Sequence, residues 1–223
     1  MELGSSLQSL ETHVKHFLLQ LPRDGSTVDL QQLFFKLTMD ASTEFLFGVS
    51  TNSLLPESQK SLESFSEAFE EAQWGLSLRP RLGALNYLYT NRKFVKACKT
   101  VHSYVDNFVH TCLAESTEGE KRVLESGQID TTSSKQKYCF LQELAKDVRD
   151  PKELRDHALN VLIAGRDTTA GLLAITFFVL ARRPDVWSKL RKSVEDLHGQ
   201  RPTFEQLKEM RYLQFVLKEG IQT

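Results

Sequence analysis

The chain has 223 residues, 40% of them hydrophobic and 26% charged, which is enough to bury a core and too apolar for wholesale disorder. Its 28 basic and 29 acidic side chains leave a formal net charge of −1, so no global positive field favours a nucleic-acid partner. Cys98, Cys112 and Cys139 form no CxxC pair and suit a reducing compartment better than a disulfide framework. The opening residues lack the basic and apolar regions of a signal peptide. The longest uncharged apolar run, Thr168 to Ala181, is shorter than the roughly 18 residues that a bilayer helix needs, so no membrane segment is expected in this chain.

The apolar pattern predicts helix after helix. Leu7, Leu10, Val14, Phe17, Leu18 and Leu21 keep helical spacing up to Pro22. A second stripe runs through Leu30, Leu33, Phe34, Leu37, Ala41 and Phe45, and Gly48 ends it. A third carries Leu62, Phe65, Phe69, Ala72 and Leu76 and is expected to break at Pro80 and Gly83. A fourth runs through Phe94, Ala97, Val101, Val105, Phe108 and Cys112. After it, residues 115–137 are polar and poor in aromatics, and read as a surface linker. No sustained period-2 alternation appears, so the expected class is all-α.

A short apolar patch from Tyr138 to Ala145 precedes Asp150-Pro151-Lys152-Glu153. That tetrad predicts a helix start, with Asp150 as N-cap, Pro151 at the first helical position and Glu153 as capping-box acid. Nothing breaks the helix before Arg182-Arg183-Pro184, which implies one long helix over about 151–182, roughly 45 Å long. From Ala158 onward it is apolar nearly all round, as befits a helix through the middle of a globule. A shorter helix over Val186 to Leu197 follows. Thr203 with Gln206 then forms a second capping box.

Arg166 and Asp167 interrupt the long helix, with Thr168 and Thr169 after them and Ala164 and Gly165 before. A charge buried in a helix is costly unless paired or solvated, and a mid-helix glycine costs about 1 kcal/mol relative to alanine. Small residues would let a bulky planar ligand approach the backbone, a threonine hydroxyl could occupy a groove opened in the helical hydrogen-bond ladder, and the acid could relay protons. The alternative is a packing notch whose charges emerge into solvent.

Elsewhere, Cys98 and His102 share a helix face that zinc could use, but two ligands do not make a site and core packing is the expectation; no metal site is assigned. His13 and His16 are expected at the surface. No triad elbow, phosphate-binding loop or dinucleotide fingerprint occurs.

Ala164-Gly165-Arg166-Asp167-Thr168-Thr169 resembles the central-helix motif [AG]-G-x-[DE]-T-[TS] of the cytochrome P450 family. Thr203 to Glu219 is similar to that family's T-x-E-x-L…M-x-Y-L-x-x-V-x-x-E passage. Leu37-Thr38-Met39-Asp40 with Thr43-Glu44-Phe45-Leu46-Phe47-Gly48 resembles its fungal alkane and fatty-acid hydroxylase branch. The resemblance implies a partial P450 domain over 1–219, from the family's helix D to the start of helix K, with a divergent tail at 220–223. Ala164, Gly165 and Thr169 would line the haem and dioxygen groove, and Asp167 and Thr168 would deliver protons to bound dioxygen. Trp74 and Val161 are candidates for the substrate pocket. Glu219 matches the acid of the family's E-x-x-R pair, although Gln222 stands where the arginine belongs, so its role is structural.

The cofactor implied is haem, with electrons from NADPH through NADPH-cytochrome P450 reductase and an apolar small molecule as substrate. None of the three cysteines lies in a sequence like the family's haem-thiolate loop, so this chain alone is expected to be inactive. The full-length family member would sit on the cytoplasmic face of the endoplasmic reticulum membrane. The alternative function is a catalytically inactive helical scaffold or interaction protein.

Overall fold

The computed structural model describes residues 3–55, 60–83, 91–126, 139–195 and 197–222. Within them the chain is helical throughout: α1 Leu3–Leu19, α2 Leu30–Phe47, α3 Lys60–Leu82, α4 Arg92–Ser126, α5 Phe140–Asp147, α6 Pro151–Arg182, α7 Pro184–Glu195, α8 Phe204–Glu209 and α9 Arg211–Gln222. The long helix expected over 151–182 is α6, and it is the hub against which α2, α4, α5, α7 and α9 pack.

Local chemistry sets most of the boundaries. Asp29 caps α2 through the amides of Gln31 and Gln32, and Gly48 closes it with φ of 73°, where a side chain would be strained. Asp150 accepts from the Lys152 amide and Pro151 opens α6, while Glu153 faces His157 at 3.6 Å. Thr203 and Gln206 form the full reciprocal box. Two expectations shift. Pro80 does not end α3, because the one hydrogen bond it removes falls in the last turn, and the helix runs to Leu82 before Gly83 turns with φ of 52°. Likewise α4 continues through Ser126, so the first part of the expected linker is helical; Glu, Lys, Arg and Leu in that stretch are good helix formers. The remainder, 127–137, lies outside the described residues.

Two apolar clusters flank the middle of α6. The larger gathers Met39, Leu46 and Phe47 of α2 with Phe65 and Phe69 of α3, Val101, Val105 and Val109 of α4, and Leu154, Ala158 and Leu162 of α6. The smaller joins Phe17, Phe34, Leu37, Leu54 and Ala170. A buried acid holds the turn between α2 and α3. Asp40 accepts from Thr51 Oγ1 (2.7 Å), from the Ser53 amide and hydroxyl (2.7 and 2.9 Å) and from the Leu54 amide (3.2 Å). His13, expected at the surface, is instead buried and pairs with Glu44, because α1 lies against α2; His16 is half-buried.

The expectation of a fully enclosed α6 fails in part. By length and composition this helix could cross a membrane, yet only 22% of its most apolar window is buried, and Ile175 and Phe178 are exposed. One stripe faces α2, α3 and α4, and the opposite stripe is open.

Candidate active site

The two stripes sort the motif. Leu162, Arg166 and Ala170, four residues apart, all lie on the buried side of α6. Each residue turns about 100° around the axis, so Thr168, two positions past Arg166, points nearly the opposite way. The structure therefore buries the charge and exposes the alcohol. Arg166 is 3% exposed and sits between the two apolar clusters. Its guanidinium is stacked over Phe35 and Phe69 at 4.7 and 5.4 Å. It donates to Glu70 Oε1 (2.7 Å), Gln73 Oε1 (2.9 Å) and Asp167 Oδ1 (3.1 Å). The cost of burying a cation is offset by this ring of acceptors and π faces.

Asp167 stands at the edge between the stripes, with 37% of its side chain exposed. It accepts from Arg166 and, at 2.5 Å, from Gln73 Nε2. Gln73 therefore ties α3 to the acid of α6, and Glu70 ties it to the neighbouring Arg166. Sequence reasoning missed both, and the only available signal was their spacing of three on the face that also carries Phe69.

Thr168 is exposed, and its hydroxyl donates to the Ala164 carbonyl at 2.6 Å. The ladder is not opened as expected: α6 is continuous through the motif, and Thr168 back-bonds within the preceding turn. Thr168 and Thr169 border an open groove of about 500 Å³ with Gly171, Leu172, Ile175 and, from α9, Gly220 and Ile221. At Gly220 α9 comes close to α6, since a Cβ there would stand 2.7 Å from Thr176 Oγ1.

The remaining candidates scatter. Ala164 lies one turn before the groove, joined to it through the Thr168 bond. Gly165 is turned toward α2, where an added Cβ would lie 3.1 Å from Ser42 Oγ, so it serves helix approach. Val161 packs against the larger core cluster. Trp74 is 57% exposed on α3 and does not border the groove, while Phe65 and Phe69 are plain core. Glu219 borders a second depression with Thr176, Leu180, Arg183 and Tyr212. Cys98 is half-buried on α4, and Cys112 and Cys139 are buried in the core. No cluster of metal-ligating side chains occurs among the described residues.

Residues 9–221 match the cytochrome P450 family. The chain belongs to that family. Among its P450 relatives, cytochrome P450 52E1 of Candida apicola is 39% identical over 232 residues, covering 98% of this chain and 42% of the relative. Cytochrome P450 52A12 of Debaryomyces hansenii is 40% identical over 235 residues, covering 98% and 43%. Cytochrome P450 52A3-A of Candida maltosa is 41% identical over 232 residues, covering 96% and 42%. The chain thus spans less than half the length of these P450s.

Proposed function

We propose that this chain forms the helical, dioxygen-facing part of a haem monooxygenase. It would insert one atom of dioxygen into an apolar substrate such as an alkane or fatty acid. Electrons would come from NADPH through NADPH-cytochrome P450 reductase, on the cytoplasmic face of the endoplasmic reticulum membrane. The observation that carries this reading is the pairing of a restrained, half-exposed acid, Asp167, with an exposed alcohol, Thr168, on the bare face of α6.

That face suits a flat apolar macrocycle. Gly171 has nothing within 4 Å of where a Cβ would stand, and Leu172 and Ile175 continue the apolar lining. Ala164, Thr168, Thr169, Leu172 and Ile175 would hold the haem there. When bound, haem supplies the iron at which dioxygen is reduced. The chain's own part is proton supply and an apolar seat. Asp167 reaches solvent and can exchange protons with it, while Gln73 and Arg166 fix its direction. Thr168 can turn its hydroxyl from the Ala164 carbonyl into the groove, beside the apolar side chains of Leu172 and Ile175. Since the three cysteines lie away from this groove, the chain alone is proposed to be inactive. A thiolate-type haem absorption band from the purified chain would overturn that.

The test is a chimera in which this chain replaces the matching segment of cytochrome P450 52E1, loaded with haem and assayed with reductase, NADPH and a long-chain fatty acid or alkane. Hydroxylated product is expected. Asp167→Asn should slow turnover by about a hundredfold, and Thr168→Val should divert reducing equivalents to hydrogen peroxide. A folded chimera that takes up haem and forms no product would sink the substrate assignment. Unchanged turnover in Asp167→Asn with unchanged coupling in Thr168→Val would remove the proposed proton route.

A further inference from the structure

Two acids share the Arg166 guanidinium. Its Nη2 donates to Glu70 Oε1 at 2.7 Å, and its Nη1 donates to Asp167 Oδ1 at 3.1 Å and to Gln73 Oε1 at 2.9 Å. A guanidinium facing a single carboxylate commonly gives it two parallel hydrogen bonds. Here the fork is split, one prong to each acid, and Asp167 receives the longer contact. Phe35 and Phe69 flank the guanidinium at 4.7 and 5.4 Å, so the acids compete for its edge.

One positive and two negative charges therefore meet at this point. Asp167 alone would balance the buried cation. Glu70 leaves one negative charge in excess, and a like charge close to a carboxylate favours uptake of a proton. Asp167 is the acid placed to take it. Its side chain is 37% exposed against 51% for Glu70, so water solvates its ionised form less, and its contact with the guanidinium is the weaker one. Gln73 Nε2 occupies Oδ2, which leaves Oδ1 to carry the proton. Among the described residues no further charged side chain pairs with Arg166 or Asp167. From α2, Phe35 and Ser42 face this stretch of α6. Asp106 of α4 is engaged by Arg155, three turns earlier along α6, and Glu219 of α9 lies beside Thr176, more than two turns later.

We propose that Glu70 is a positioning residue for Asp167, a role that rests on Asp167 being the proton carrier. By holding one prong of the fork, Glu70 stops Arg166 from closing on Asp167 with both, and keeps the Asp167 carboxylate able to accept a proton. Glu70 does not border the groove, so it acts through Arg166. Without its charge the guanidinium turns to Asp167, the carboxylate is held ionised, and it binds a proton only at lower pH.

The test is Glu70→Gln, which keeps an oxygen for Nη2 and removes the charge at a half-exposed position. The titration of Asp167 is followed in the haem-free chain by NMR of carbon-13-labelled aspartate carboxyls, its resonance being assigned by its loss in Asp167→Asn. The Asp167 midpoint should move to lower pH by about half a unit, roughly a threefold loss of proton affinity. Glu71→Gln removes a neighbouring charge that does not pair with Arg166, and should move the midpoint far less. In the haem-loaded chimera with cytochrome P450 52E1, Glu70→Gln should lower kcat and leave KM unchanged, the loss deepening as pH rises. An unmoved or raised midpoint in Glu70→Gln, or an equal shift in Glu71→Gln, would overturn the role of Glu70. A lowered midpoint with unchanged kcat would uphold the hold of Glu70 on Asp167 and count against Asp167 as the proton carrier.

Discussion

Gln73 of α3 holds Asp167 of α6 from above: its side-chain nitrogen donates to the carboxylate at 2.5 Å, while its oxygen accepts from Arg166 at 2.9 Å. One amide therefore reads both charges of the motif, and its two ends cannot be exchanged without losing both bonds. This couples the position of the acid to the packing of α3. Replacing Gln73 with Leu keeps the volume and removes both bonds. It should cost about 1.5–3 kcal/mol in urea denaturation, since both partners are charged. Gln73→Glu keeps the acceptor for Arg166 but sets a second carboxylate against Asp167, and should be no better. A Gln73→Leu protein with an unchanged urea midpoint would show the contact to be idle.

Arg166 is the more demanding residue, because it is buried and its partners converge from two helices. Arg166→Ala should lower stability by about 3–5 kcal/mol, as breaking a buried pair does. Arg166→Lys keeps the charge but lacks the planar fork that reaches Glu70 and Gln73 together and lies flat on Phe35 and Phe69. It should therefore recover only part of the loss, read from the same denaturation curves.

Gly75 allows α3 to touch α4: a Cβ there would stand 2.1 Å from Phe94 Cδ2. Gly75→Ala gains about 1 kcal/mol of helix propensity but must displace a buried ring, an overpacking cost of about 1–3 kcal/mol. Net destabilisation is expected. Adding Phe94→Leu should relieve the clash, so a double-mutant cycle should return a favourable coupling between the two sites.

The Tyr104 phenol is pushed up to about 12 from 10.0, first by burial and then by the nearby Asp40 carboxylate. The native state thus holds this proton more tightly than the unfolded chain does. The contribution is fully present below about pH 10 and is lost as pH rises through about 12. Tyr104→Phe should flatten the loss of stability between about pH 10 and about pH 12, measured by urea midpoints at each pH. An identical alkaline slope in the variant would exclude Tyr104 as its source.

Much of the fold was legible because its signals are local. The 3.6-residue stripe located the helices, Asp150 with Pro151 marked the start of α6, and Gly48 marked the end of α2. The motif itself was legible as text, since charges and small residues inside an apolar helix stand out against their neighbours. Which face of α6 each motif residue occupies was decided only by tertiary packing. Helical periodicity gives relative angles but no absolute direction when apolar residues run nearly all round. Contact with α2 and α3 therefore sent Arg166 inward, turned Gly165 to Ser42 and left Thr168 on the open side. The same packing buried His13 against Glu44 and brought Gln73 to Asp167 across 94 residues of sequence. Long-range pairs of this kind leave no periodic trace, because each depends on where two independently stable helices come to rest against each other.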